Sequence, residues 1–211
     1  MTSRYKEIDL ESWSRRSTFE FFESFEDPYF NMTANVDVTK LRRSVRDKGL
    51  SYSLAALFYS QQTVNSIPEF RRRFLEEKIV EFDSVESTQT LLNDDETFSF
   101  CYFESKPTVE EFVESGRTSV EKYRQLKTFD VETERLDLIY HSVIPWISFT
   151  SFKHASRLNN RQSVPRIVFG KVFSSGDREM MPVSVEVHHA LVDGIHVGKY
   201  FNRFQELLDS L

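Results

Sequence analysis

The hydrophobic positions of this chain switch repeatedly between helical and strand-like spacing. Between Ser14 and Phe25, Phe19, Phe22 and Phe25 recur every third residue, which predicts a helix. Asn31 to Val38 alternates loosely and reads as a strand. Thr39 to Asp47 carries Leu41 and Val45 on one face of a short amphipathic helix. Ser53 to Asn65, with Leu54, Leu57, Phe58, Gln61 and Val64, reads as a second, more buried helix, and Pro68 follows its end. Ile79 to Phe82 and Thr97 to Phe103 are strand-like. Pro107 and Thr108 open a helix to about Leu126, with Val109, Phe112, Val113, Val120 and Tyr123 apolar. Trp146 to Phe152 and Ile167 to Phe173 are β-branched or aromatic strands. Ser174-Ser175-Gly176-Asp177 is a hairpin turn, and Pro182 to His188 the return strand. After Gly194, Val197, Tyr200, Phe201, Phe204, Leu207 and Leu208 form a helical stripe.

This mixture lacks a regular βαβ alternation. It predicts an α/β (α+β) two-layer sandwich, a mixed β-sheet packed with helices, over residues 1–211 as one domain. No low-complexity tract, internal repeat or Gly/Ser/Pro linker divides it. The absence of a glycine-rich phosphate loop weighs against kinase and dinucleotide chemistry.

Composition adds bounds. Hydrophobic residues are 39% and charged residues 28% of 211, as in a globular protein with a full core. The 20 phenylalanines exceed what such a core needs, which leaves some to line a pocket or interface. A formal charge of -6 gives no support to nucleic-acid binding, and Arg71-Arg72-Arg73 reads as a solvated helix face or loop. Cys101, the single cysteine, lies in an apolar run and reads as a buried structural thiol; a disulfide or cysteine-rich zinc site is excluded, and no metal is expected. The polar N-terminus is no signal peptide, and no apolar run reaches membrane-spanning length, so the expected location is cytoplasmic with no membrane partner.

The densest chemistry is Val187-His188-His189-Ala190-Leu191-Val192-Asp193-Gly194-Ile195-His196. Histidine can accept a proton near neutral pH, and Asp193 follows His189 by one helical turn. Strand parity puts His189 with Val183, Val185 and Val187, and His188 with Ser184 and Glu186. By parity alone, His189 is read more simply as a core histidine satisfied by a backbone carbonyl.

The wider sequence alters that balance. Met181 to Val187 before the motif, and His196-Val197-Gly198 with Asn202 to Leu207 after it, resemble the signature of the chloramphenicol acetyltransferase family. Pro145-Trp146-Ile147-Ser148-Phe149-Thr150-Ser151-Phe152 is similar to a second block, and Trp13-Ser14-Arg15-Arg16 with Phe19 to Phe22 to a third. Pro68 to Arg71 and Glu96 to Ser99 match too, so the resemblance is collinear along the chain. Dihydrolipoyl acyltransferase domains share His-x-x-x-Asp-Gly but not these blocks.

The resemblance implies a homotrimer with sites at subunit interfaces, and acetyl transfer from acetyl-CoA, as co-substrate, to a hydroxyl of chloramphenicol. It implies His189 as general base, Ser142 as oxyanion donor, and Asp193 with Arg15 as a structural ion pair. CoA positions fall on Tyr52, Trp146 and Lys171. Acceptor positions fall on Phe21, Phe22, Phe30, Phe98, Phe129, Phe152, His154, Arg166 and Val168.

Some of these depart from the family pattern. His154 stands at a leucine position, Arg166 at an isoleucine position and Ser156 at a valine position, while Pro28 occupies a frequent cysteine position. Val168 replaces a threonine that assists the transition state through water, and Val172 a tyrosine near CoA. The departures leave several readings: chloramphenicol in a modified pocket, a more polar or anionic alcohol anchored by Arg166, or a shifted register across 153–164. A non-catalytic trimeric small-molecule binder is the reading from another class.

Overall fold

The computed structural model describes residues 4–126, 135–156 and 161–211. Its elements are, in order, β1 (Tyr5–Glu7), α1 (Arg16–Glu23), β2 (Tyr29–Asp37), α2 (Thr39–Lys48), α3 (Tyr52–Asn65), a 3-10 turn (Pro68–Arg71), β3 (Arg72–Leu75), β4 (Lys78–Phe82), β5 (Glu86–Leu92), β6 (Phe98–Phe103), α4 (Val109–Leu126), β7 (Leu138–Ile144), β8 (Arg166–Gly170), β9 (Phe173–Ser175), β10 (Arg178–His188) and α5 (Gly194–Asp209). Among the described residues a seven-stranded sheet runs β2-β10-β8-β7-β5-β6, with β9 added beside β10, and β1-β4-β3 form a small second sheet. The β5–β7 and β7–β8 pairs are parallel and the others antiparallel, so the large sheet is mixed.

Strand parity gives this sheet two unlike faces. Val183, Val185 and Val187 of β10, Ile167 and Phe169 of β8, Ile139 of β7 and Cys101 and Phe103 of β6 face the helices and are buried. α3 is buried around most of its surface because it lies between α2, α4 and α5. Burial pushes the Cys101 thiol up to about 12, which leaves it protonated and inert at neutral pH. The other face carries Ser184, Glu186 and His188 of β10, Arg166 and Val168 of β8, and Tyr140 and Ser142 of β7.

Several sequence expectations need correction. Trp146 to Phe152 is not a strand; the strand lies upstream, at Leu138–Ile144. Pro145 cannot donate to a ladder, and Trp146 and Ile147 are more than half exposed. The expected strand from Ile167 to Phe173 ends at Gly170 and resumes as the separate β9. The helix expected from Ser14 to Phe25 is shorter, Arg16–Glu23. β5 was not legible because its inward positions, Ser87 and Gln89, are polar yet buried.

The arginine run is not solvated. Arg73 is wholly buried, and its guanidinium donates to the carbonyls of Leu136, Leu138, Phe70 and Arg72 at 2.6–2.9 Å. Burial lowers its pKa to about 9, still charged at neutral pH. It clasps the start of β7 to β3, across the two sheets. His141 is likewise buried, with Nε2 3.0 Å from Ser60 Oγ, which lies 2.7 Å from Tyr200 Oη. This chain ties β7 to α3 and α5.

Burial holds His141 down at about 3 and, with the nearby charge of Arg161, His188 at about 4. Both folded values lie below the ordinary 6.5. The unfolded chain therefore takes up more protons as pH falls, and stability present above pH 6.5 is lost toward pH 4. We expect a loss of about 1.4 kcal/mol per pH unit for each histidine in that window. Urea unfolding between pH 7 and pH 4.5 measures it; a flat stability profile would contradict neutral burial of these rings.

Candidate active site

β10 stops at His188, and the chain turns at once. His189 N–H donates to Pro28 O at 2.8 Å, while Leu191 and Val192 N–H donate to His188 O at 3.0 Å. Asp193 is the N-cap of α5, and its N–H donates to His196 Nδ1 at 2.9 Å. The carboxylate thus sits at the positive end of that helix.

Arg15, immediately before α1, closes the turn. Its Nε donates to Asp193 Oδ2 at 2.8 Å and its Nη2 to Oδ1 at 2.6 Å. The same guanidinium donates to the carbonyls of Ala190 at 3.1 Å, Leu191 at 2.7 Å and His189 at 3.3 Å. Only arginine offers this planar fork. Partial burial raises the Asp193 pKa, but the hydrogen bond and charge of Arg15 outweigh it, and the net shift is downward.

The His189 ring lies flat on Phe22, with centroids 3.7 Å apart and planes 8° apart, and Phe30 packs against it at 4.6 Å. Its Nδ1 is 3.4 Å from Asp193 Oδ1 but makes no hydrogen bond to it. About 30% of its side chain stays accessible. His188 differs sharply. It is buried between Phe74 and Tyr29, and its Nδ1 accepts from Ala190 N–H at 3.3 Å. The polar face of β10 is therefore buried, not solvated, and it is His188 that serves as the core histidine. Phe21, exposed, and Phe25 complete the aromatic cluster around Phe22, at 5.0–5.2 Å.

Ser142 belongs to a second place. It lies on β7, where Thr90 Oγ1 donates to its Oγ at 3.3 Å. With Thr90 as donor, the Ser142 proton is left to donate elsewhere. Both hydroxyls line a cavity of about 430 Å³ with Phe98, Phe100, Tyr102, Tyr140, His154 and Arg166. Val168 is paired with Ser142 across β7 and β8, is wholly buried, and offers no hydroxyl. Phe152 adjoins the cavity through His154, with ring centroids 4.9 Å apart. Phe129 lies outside the described residues.

Arg166 is not available to anchor an anion. Its Nη1 donates to Glu186 Oε1 at 2.6 Å, and Glu186 is 2% exposed. Nη2 donates to Gln162 Oε1 at 2.5 Å. The positive charge is neutralised where it stands.

Within one chain Ser142 and His189 do not meet. Ser142 aligns with Val168 and Val168 with Ser184, and His189 lies five residues beyond Ser184. Two strand spacings across and five residues along amount to about 19 Å. Ser142 also sits on the polar face, while His189 packs on Phe30, whose strand partner Val187 faces the helices.

Tyr52, Trp146 and Lys171 lie toward the start of β10. Tyr52 Oη donates to Met181 Sδ at 3.2 Å, and the Arg42 guanidinium covers its ring at 5.5 Å, next to a groove also lined by Arg46 and Leu50. Trp146 and Lys171 are exposed on adjoining loops, joined by Lys171 N–H to Ile147 O at 3.0 Å and Ser148 Oγ to Lys171 O at 2.8 Å. Among the described residues no His/Cys/Asp/Glu cluster could hold a metal ion. Sequence reasoning missed Thr90, Tyr102, Tyr140 and Glu186. Alternation in Phe98-Ser99-Phe100-Cys101-Tyr102 could have pointed to Tyr102, but only strand register brings Glu186 to Arg166.

The sequence model of the family described as chloramphenicol acetyltransferase matches residues 3–205. Chloramphenicol acetyltransferase 3 of Escherichia coli is 30% identical over 208 residues, 98% of each chain. The Clostridium perfringens enzyme is 31% identical over 210 residues, 98% of this chain and 96% of that one. A solved chloramphenicol acetyltransferase superposes with a TM-score of 0.88 at 23% identity, covering 97% of this chain and 100% of that one. The cubic core of the pyruvate dehydrogenase multienzyme complex shares the fold more loosely, with a TM-score of 0.65 at 14% identity over 91% of this chain and 86% of that one. On a match that spans nearly every residue, the chain belongs to the chloramphenicol acetyltransferase family.

Proposed function

We propose that this protein is an acetyl-CoA-dependent O-acetyltransferase whose acceptor is chloramphenicol or a related alcohol. The observation that carries this reading is His189, a histidine at the accessible end of β10 with its ring plane set by Phe22 and Phe30. A buried structural histidine needs no accessible edge, and a base does.

In this reading His189 takes the proton of the acceptor hydroxyl as the oxygen attacks the thioester carbonyl. The tetrahedral oxyanion accepts a hydrogen bond from the Ser142 hydroxyl. Collapse breaks the C–S bond, and the departing thiolate takes the proton back from His189. Holding both substrates beside the base supplies much of the remaining acceleration. Arg15 and Asp193 position the turn that carries His189 and do not relay the proton, since His189 Nδ1 makes no hydrogen bond to Asp193. Residues fit for CoA are near one another in type: aromatic Tyr52 and Trp146, the exposed Lys171, and the cations Arg42 and Arg46 beside Tyr52.

The separation of Ser142 from His189 supports sites shared between subunits of a homotrimer. A base and an oxyanion donor serving one reacting carbon must approach within hydrogen-bond reach of it, and a separation of about 19 Å within one chain does not allow that.

We expect His189→Ala to lower kcat by at least about two orders of magnitude, read as thiol release from acetyl-CoA with chloramphenicol. Ser142→Ala should cost about 100-fold or more in kcat. Mixed oligomers refolded from the two variants should regain activity, because some sites then hold an intact residue of each kind; activity no better than either parent would sink the shared-site reading. Arg15→Ala and Asp193→Ala should couple by about 1.5–3 kcal/mol in a double-mutant cycle of urea unfolding, as for charge-assisted hydrogen bonds.

A further inference from the structure

Five N–H groups of the turn after β10, from His189 to Asp193, need acceptors. Those of His189, Leu191 and Val192 donate to backbone carbonyls. The other two go to imidazole nitrogens: Ala190 N–H to His188 Nδ1 at 3.3 Å, and Asp193 N–H to His196 Nδ1 at 2.9 Å. An imidazole nitrogen accepts only when it carries no proton, so the Asp193 bond requires a His196 ring with its proton on Nε2. His196 is the third residue of α5, the place from which Glu or Gln reaches back in a capping box. Only 9% of its side chain is accessible.

The other edge of the ring meets a second element. Nε2 lies 3.7 Å from Glu69 Oε1 in the 3-10 turn, and Glu69 pairs with Arg72 at 3.3 Å. The guanidinium groups of Arg72 and Arg15 each lie 5.4 Å from the centre of the Trp13 ring. Arg15 returns to the Asp193 carboxylate. Six residues therefore close a circuit: Asp193, His196, Glu69, Arg72, Trp13 and Arg15. It grips Asp193 twice, by the carboxylate through Arg15 and by the backbone N–H through His196. Burial lowers the His196 pKa below its ordinary 6.5; Arg15 and Lys199 push the same way, and Glu69 and Asp193 oppose them. The net shift is downward, so the ring is neutral at pH 7.

Through Arg15 the circuit reaches the His189 carbonyl at 3.3 Å. A peptide that turned away at Asp193 would draw its carboxylate off Arg15 and loosen the carbonyls that Arg15 holds. His196 itself lines neither the cavity beside Ser142 nor the groove beside Tyr52. Resting on the reading of His189 as the base, we propose that His196 is a positioning residue: its Nδ1 holds the Asp193 backbone, and with it the turn that presents the His189 ring. It serves the reaction without touching a reacting atom.

The test compares the whole enzyme with His196→Leu, which has no acceptor, and His196→Gln, whose amide oxygen can accept from Asp193 N–H. Thiol release from acetyl-CoA with chloramphenicol should show kcat about tenfold lower in His196→Leu, the cost of an unmet donor, with KM for both substrates within about twofold. His196→Gln should recover kcat to within about threefold. In protein labelled with nitrogen-15 in its five histidines, the His189 ring signals should shift in His196→Leu and hold in His196→Gln. An unchanged kcat in His196→Leu, a His196→Gln no better than His196→Leu, or a loss confined to KM overturns the proposal. So do His189 signals that hold in His196→Leu. If His196→Leu shows no cooperative urea transition, His196→Met replaces it on the same criteria. Should the natural protein release no thiol with chloramphenicol, the acetyltransferase reading fails by itself, and the His189 signals still decide what His196 holds.

Discussion

A β-strand must send successive side chains to opposite faces, and β10 is where that constraint shapes the molecule most. Its valines seal the helix-side core, so Ser184, Glu186 and His188 are committed to the far face. There the loop after β7 lies against Ser184 and Glu186, and each buried polar group must find a partner inside. Glu186 takes Arg166 and the His154 backbone, Ser184 takes Asn31, and His188 accepts from Ala190. The polar face of the sheet is thus a set of paired groups, and the cavity beside Ser142 inherits its chemistry from them.

The end of β10 is set by a different interaction. Three carbonyls of the His189–Leu191 turn and the carboxylate of Asp193 converge on one guanidinium. Without Arg15, this turn would present unpaired carbonyls together with a partly buried charge. With it, the turn holds one shape, and the His189 ring is set against Phe22 and Phe30. The two adjacent histidines acquire separate environments from this single change of direction.

Arg166 illustrates how burial changes the meaning of a residue. On sequence alone a cation in an acceptor pocket reads as an anchor for an anion. Paired with Glu186 across β8 and β10, its charge is balanced within the wall of the cavity. The basic run at Arg71 to Arg73 underwent the same inversion: a wholly buried guanidinium satisfied by four carbonyls does the work of a clasp between sheets.

Helices were largely legible, because α2, α3, α4 and α5 carry apolar residues at helical spacing and that spacing is local. Strands β6 and β10 were legible for the same reason. β5 and β7 were not: Ser87, Gln89 and His141 are polar but face inward, and their burial depends on partners far along the chain. The segment from Trp146 to Phe152 has strand-like composition, but it follows Pro145, begins with two exposed residues and pairs with no strand. The sequence by itself determined the family, the α+β character and the identities of His189, Ser142, Asp193 and Arg15 as residues of interest, since these rest on residue type and order. Only the tertiary structure decided that Arg166 is neutralised, that His154 keeps an unpartnered nitrogen, and that Ser142 and His189 lie far apart in one chain. Those facts depend on strand register and on which face each strand turns to the helices, and no local pattern encodes either.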